Sequence, residues 1–133
     1  MARFFTVQSK VDAARLASGG SPWPTSLERA NLGPGLYCWA TLQHAEDYRQ
    51  LLTRHGAADL LVLTYRIDDQ DLVALRTKDL TLLSDEDVNH WLDQYSLYGR
   101  GLPHGFERVI RNTNLATEHY FAASVFSKLT EEP

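Results

Sequence analysis

Glu118 and His119 stand side by side in the run Thr117-Glu118-His119-Tyr120-Phe121, a carboxylate and an imidazole in a segment with the β-branched and aromatic character of a strand. Side chains alternate along a strand, so Glu118 and Tyr120 share one face while His119 and Phe121 share the other. A charged group facing a cleft above an aromatic floor would suit a flat, cationic ring such as nicotinamide. An amphipathic strand with an aromatic core face produces the same pattern, and both readings stand at this level. A second chemistry-bearing segment is Leu36-Tyr37-Cys38-Trp39-Ala40, a glycine-flanked strand that places Tyr37 and Trp39 just before an amphipathic helix.

Other chemistries lack their signatures. His44 and His55 would share a helix face but lie about 16 Å apart at 1.5 Å per residue, too far to ligate one metal. No HExxH, CxxC or closely spaced histidine–carboxylate set occurs. The nucleophile elbow Gly-x-Ser-x-Gly is missing, as are the glycine-rich phosphate loops GxxxxGK[ST] and GxGxxG. Gly99-Arg100-Gly101 is too short a match to carry weight. The acidic groups Asp68-Asp69, Asp85 to Asp87 and Glu131-Glu132 fall at a turn, a helix start and the tail, where solvated charge accounts for them. Cys38 is the single cysteine and sits in an apolar run, which reads as a buried, inert thiol.

The elements that must position these residues can be read along the chain. Arg3 to Gln8 forms a first strand, and Ser9 caps a helix whose apolar side is Val11, Ala14 and Ala17, ending at Gly19-Gly20. Residues 19 to 34, with Pro22 and Pro24, make a long loop. Leu36 to Ala40 is a central strand, and Thr41 caps a helix carrying Ala45, Tyr48, Leu51 and Leu52 that ends near His55-Gly56. Leu60 to Ile67 is the clearest strand, and Leu72 to Leu75 and Leu80 to Leu83 are shorter extended segments. Ser84 opens a helix with Val88, Trp91, Leu92 and Tyr95 at i, i+3, i+4 and i+7. After a loop from Gly99 to Gly105 come strands at Phe106 to Arg111 and Glu118 to Ala122, a helical turn near Ser124 to Leu129, and a fraying tail.

With 133 residues, 44% of them hydrophobic, the chain reads as one α+β domain spanning 1–133 with a core that needs no staple. The net charge is −4 and its 13 Lys and Arg are scattered, so the charge does not point to nucleic acid, although it does not exclude it as a target. No signal peptide or bilayer-spanning run is present in the sequence, which makes the cytoplasm the expected location, with no membrane partner.

The order of several short motifs is similar to that of a known family. Gly33-Pro34-Gly35-Leu36-Tyr37-Cys38-Trp39-Ala40-Thr41 with Ala45-Glu46-Asp47-Tyr48, then Trp91-Leu92-Asp93 and His104-Gly105-Phe106-Glu107-Arg108-Val109-Ile110, then Glu118-His119-Tyr120-Phe121-Ala122-Ala123-Ser124 closing at Leu129, resemble blocks of small bacterial ADP-ribosyltransferase-like proteins. The resemblance is patchy, each motif is weak alone, and together they span most of the chain. It implies a split, two-sheet α+β fold with NAD, as substrate, in the cleft between the sheets, and an enzyme of toxin or effector type acting on a macromolecular target. NAD glycohydrolase activity is its variant with water as acceptor, and a neutralising protein partner is a further expectation. The resemblance implies catalytic roles for Tyr37 and Glu118, with His119 beside it as a competitor, and cofactor contacts from Arg3, Thr6, Trp39 and His119. The family's first-strand Tyr-His-Gly-[ST] is replaced here by Arg3-Phe4-Phe5-Thr6. The alternative is a non-catalytic, protein-binding domain of this or an unrelated α+β fold, with Trp23, Tyr95 and Tyr98 as exposed anchors.

Overall fold

The computed structural model describes residues 1–20, 32–95 and 104–133. Strands β1 (Ala2–Ser9), β2 (Gly35–Trp39), β3 (Leu60–Ile67), β4 (Thr77–Asp79), β5 (Arg108–Asn112), β6 (Thr117–Ala122) and β7 (Thr130–Glu132) form one sheet in the order β4-β5-β6-β2-β1-β3-β7. All neighbours are antiparallel except β4 and β5. Helices α1 (Lys10–Ala17), α2 (Leu42–Arg54), α3 (Asp69–Ala74) and α4 (Asp85–Tyr95) connect them, with 3-10 turns at Leu80–Leu82 and Ala123–Lys128. The irregular mixing of strands and helices makes this an α+β domain.

The helices begin where side chains can take up the free backbone donors. The Ser9 hydroxyl accepts from the Asp12 N–H at 3.1 Å, Thr41 from His44 at 3.1 Å, and Ser84 from Asp87 at 3.2 Å. Tyr120 and Phe121 are consecutive on β6 and so point to opposite faces, and each anchors a core. Phe121 joins Phe4, Leu36, Cys38, Tyr65 and Ile67, closed over by Leu16, Leu75, Val125 and Leu129. On the other face Tyr120 and Val109 meet Leu32, Leu80 and Trp91 of α4. We refer to these as the Phe121 face and the Tyr120 face.

The pairings differ in length along the sheet. β1 and β3 run opposite each other from Ala2–Ile67 to Ser9–Leu60, whereas β1 meets β2 through the single pair Phe5–Trp39. A side chain reinforces this short junction. The fully buried Thr6 hydroxyl donates to the Tyr37 carbonyl at 2.9 Å, and Gln8 Nε2 in turn donates to Thr6 Oγ1 at 2.9 Å. The seven strands thus form one continuous sheet, not the two expected from the sequence motifs, with its shortest ladder between β1 and β2.

Several expectations from the sequence are corrected. Leu72 to Leu75 is not extended: Asp69–Ala74 is helical, because Asp68 to Asp71 supply a polar helix start that outweighs the β character of the following residues. Leu80 to Leu83 is a 3-10 turn at Leu80–Leu82 capped by Asp79, and the strand lies just before it at Thr77–Asp79. The inward side of α1 is Asp12, Ala13 and Leu16, not Val11, Ala14 and Ala17, and Val11 is 79% exposed. Leu16, the largest apolar group on the helix, sets its rotation. The tail does not fray throughout: Thr130–Glu132 pairs with β3. Residues 21–31 and 96–103, which hold most of the two expected loops together with Trp23 and Tyr98, lie outside the described residues.

Gly35 lies opposite Ala122 at the start of the β2–β6 ladder. A Cβ there would run into the Phe121 carbonyl oxygen and come within 2.7 Å of the Tyr120 ring. Gly35→Ala is expected to destabilise the domain by about 3 kcal/mol through strand displacement, read as a lower urea midpoint with an unchanged slope.

Candidate functional site

Strands β2 and β6 bring the two central candidates together. In their ladder Tyr37 lies opposite Tyr120 and Trp39 opposite Glu118, and directly opposed residues share a face, so Tyr37, Trp39 and Glu118 all project from the Tyr120 face. The next strand adds Arg111 on that face, opposite Glu118. α2 adds Tyr48, whose ring centre lies 5.2 Å from that of Trp39.

The local bonding defines what each group can do. Arg111 Nε donates to Glu118 Oε1 at 2.8 Å, in a pair whose side chains are only 15% and 12% exposed. One such bond uses part of a carboxylate's roughly four acceptor sites, so Glu118 keeps acceptor capacity for a hydroxyl. The Tyr37 hydroxyl donates to the Gly33 carbonyl at 2.8 Å and accepts from the Leu32 N–H at 3.1 Å. Burial pushes its pKa upward, so it stays a phenol, able to donate but not to act as a base at neutral pH. Tyr120, 5.1 Å away between ring centres, donates to the Pro34 carbonyl at 3.0 Å and is pushed by burial to about 12. The His104 ring meets the Leu32 carbonyl at 2.9 Å through Nε2, and its Nδ1 accepts from Phe106 N–H at 3.0 Å. Residues 32–37 are thereby held from both sides.

The expected cofactor contacts do not converge. Trp39 is beside Glu118 but only 3% exposed, so its ring is part of the wall beneath α2. Arg3 projects from the same face nearer the start of β1, where its Nε donates to Glu132 Oε1 at 2.9 Å. Thr6 and His119 project from the opposite, Phe121 face. Thr6 is committed to the β1–β2 junction. His119 contacts the Phe4 ring at 5.0 Å and accepts at Nδ1 from Arg108 Nη2 at 3.0 Å. Tyr95, expected as an exposed anchor, packs partly buried against Trp91 with ring centres 5.1 Å apart.

Family models, curated proteins and solved structures give no match. The site therefore rests on its own geometry. Among the described residues no group of three His, Cys, Asp or Glu side chains could hold a metal ion, and no helix is long and apolar enough to cross a membrane. Sequence reasoning missed Arg111 and Arg108, because a cation's role across a ladder depends on strand pairing. The one available signal was that both belong to the strand preceding Glu118 and share its alternation.

Two consequences can be measured. Arg111→Met leaves the Glu118 carboxylate largely buried without its cation and is expected to cost about 3 kcal/mol, while the double variant with Glu118→Gln recovers most of the loss, both by urea unfolding. His119 is held down at about 4, first by burial and then by the adjacent Arg108 charge, with Asp79 acting weakly in the opposite direction. A lowered histidine binds fewer protons folded than unfolded, so its contribution is complete above about pH 6.5 and lost as pH falls toward 4. Stability should drop by up to about 3 kcal/mol across that window, and His119→Gln should flatten this part of the profile.

Proposed function

We propose that this chain is an NAD-dependent ADP-ribosyltransferase-like protein of toxin or effector type, which transfers ADP-ribose to a macromolecular target. The observation that carries the reading is that Tyr37 and Glu118 project from one face of adjacent strands, beside Trp39 and Tyr48 and next to the narrow β1–β2 junction. The sequence motifs imply two sheets, whereas the strands form one seven-stranded sheet whose shortest ladder, β1 to β2, adjoins these residues. Glu118 accepts a hydrogen bond from a hydroxyl of the nicotinamide ribose and stabilises the positive charge that develops as the bond from ribose to nicotinamide breaks. Nicotinamide leaves with the bonding electron pair. A nucleophile of the target then bonds to the ribose carbon and gives up its proton; water in that role yields free ADP-ribose. Tyr37 walls the site as a neutral phenol, and Arg111 orients the Glu118 carboxylate through its Nε donor.

A second reading, a non-catalytic protein-binding domain, draws on a different observation. Glu118 is ion-paired, and the Tyr37 hydroxyl both donates and accepts within the protein, as groups do when their task is structural.

Nicotinamide release from NAD by the purified protein separates the two. The enzyme reading expects release that falls by roughly 100-fold or more in Glu118→Gln, assayed at a temperature where circular dichroism shows the variant folded, because the change also leaves Arg111 without its carboxylate. Absence of release, together with no thermal shift in millimolar NAD, would favour the binding domain.

A further inference from the structure

The Phe121 face carries a cation, Arg108, that makes no ion pair among the described residues. Arg108 on β5 lies one strand from His119 on β6, and both side chains are only partly buried. The guanidinium sits over two aromatic rings, 5.6 Å from the centre of Phe4 and 5.8 Å from that of Phe121. Among the described residues no carboxylate oxygen comes within ion-pair distance of it. Asp79 on β4 shares this face and acts on both Arg108 and His119 from beyond ion-pair distance, with its Oδ1 accepting from the N–H and hydroxyl of Thr81. Arg108 Nε is shielded from solvent and has no acceptor among the described residues. A guanidinium only donates, so its 3.0 Å contact from Nη2 fixes His119 Nδ1 as the acceptor, and the neutral ring carries its proton on Nε2. Arg108 and His119 together therefore present hydrogen-bond donors and a single positive charge, with ring faces below.

Holding a partly desolvated, unpaired charge is costly, and cation–π contact with two phenylalanines returns only part of it. A structural arginine normally resolves this with a carboxylate, as Arg111 does with Glu118 on the other face. From the unpaired guanidinium, the donor-only edge it shares with His119 and the aromatic seat beneath, we propose that Arg108 and His119 form a binding site for an oxyanion of the phosphate or carboxylate class. The site lies across the sheet from Glu118, so it is separate from the proposed NAD pocket and does not depend on that reading. The chain's net charge is −4, so the anion is held by directed donors, not by a general field.

Titration of the ¹⁵N-labelled full chain with inorganic phosphate, and separately with acetate, at fixed pH and ionic strength tests this by NMR. The His119 ring and Arg108 Nε–Hε resonances should move together and saturate at millimolar anion, and the movement should vanish in Arg108→Gln. Saturation by phosphate alone assigns phosphate groups, and saturation by both admits carboxylates. His119→Gln provides a second variant that keeps the cation; it should weaken the apparent affinity by roughly tenfold, the worth of one charge-assisted hydrogen bond. Shifts that rise linearly without saturating, that persist in Arg108→Gln, or that are unaffected in His119→Gln would overturn the proposal.

Discussion

The junction between β1 and β2 is the constraint on which the rest of the molecule depends. An antiparallel pair normally secures itself by a run of backbone bonds, but here the ladder shrinks to Phe5 opposite Trp39. What remains is a buried hydroxyl, Thr6, bonded to the Tyr37 carbonyl and itself supported by Gln8. A polar group placed at the centre of the sheet at zero exposure is tolerable only because its bonds are made. The same link fixes the backbone of Tyr37, and through the ladder it fixes Glu118. The geometry of the Tyr120 face is thus set from the Phe121 face, by a residue whose side chain the proposed NAD pocket never meets.

Arginine is used in two ways across this sheet. Arg111 and Glu118 neutralise each other where little water reaches, which fixes the orientation of the carboxylate. Arg108, three residues earlier and on the other face, has aromatic neighbours and an imidazole in place of an acid. The odd spacing between them is what separates a paired cation from an unpaired one, since alternate positions on a strand meet different surroundings.

Much of the frame was legible in the sequence. The strand at Leu60–Ile67 and the helix at Asp85–Tyr95 were marked by β-branched content and by 3.6-residue periodicity, and Ser9, Thr41 and Ser84 marked helix starts. Local signals failed where tertiary packing decided the outcome. Nothing in the octapeptide of α1 says that Leu16 outweighs Val11, and Leu72 to Leu75 is apolar enough to read as strand until Asp68 to Asp71 are given their role as a helix start. At the site, alternation correctly separated Glu118 from His119. The sequence could not say that Thr6 turns away from Trp39, because strand alternation becomes a shared face only once the register Phe5–Trp39 is known.

Tyr120 and Phe121 give β6 an unusual position with respect to mutational tolerance. Most strands in a sheet of this size have one side on which substitution meets solvent and is forgiven. On β6 the two consecutive aromatics are each nearly inaccessible, one at the centre of each core, and Glu118 and His119 before them are each bonded to a different arginine. Neither side of this strand is free to drift. Changes there must be matched on the surface they touch, so the sequence of β6 is expected to vary only together with β5 and β2, as a block.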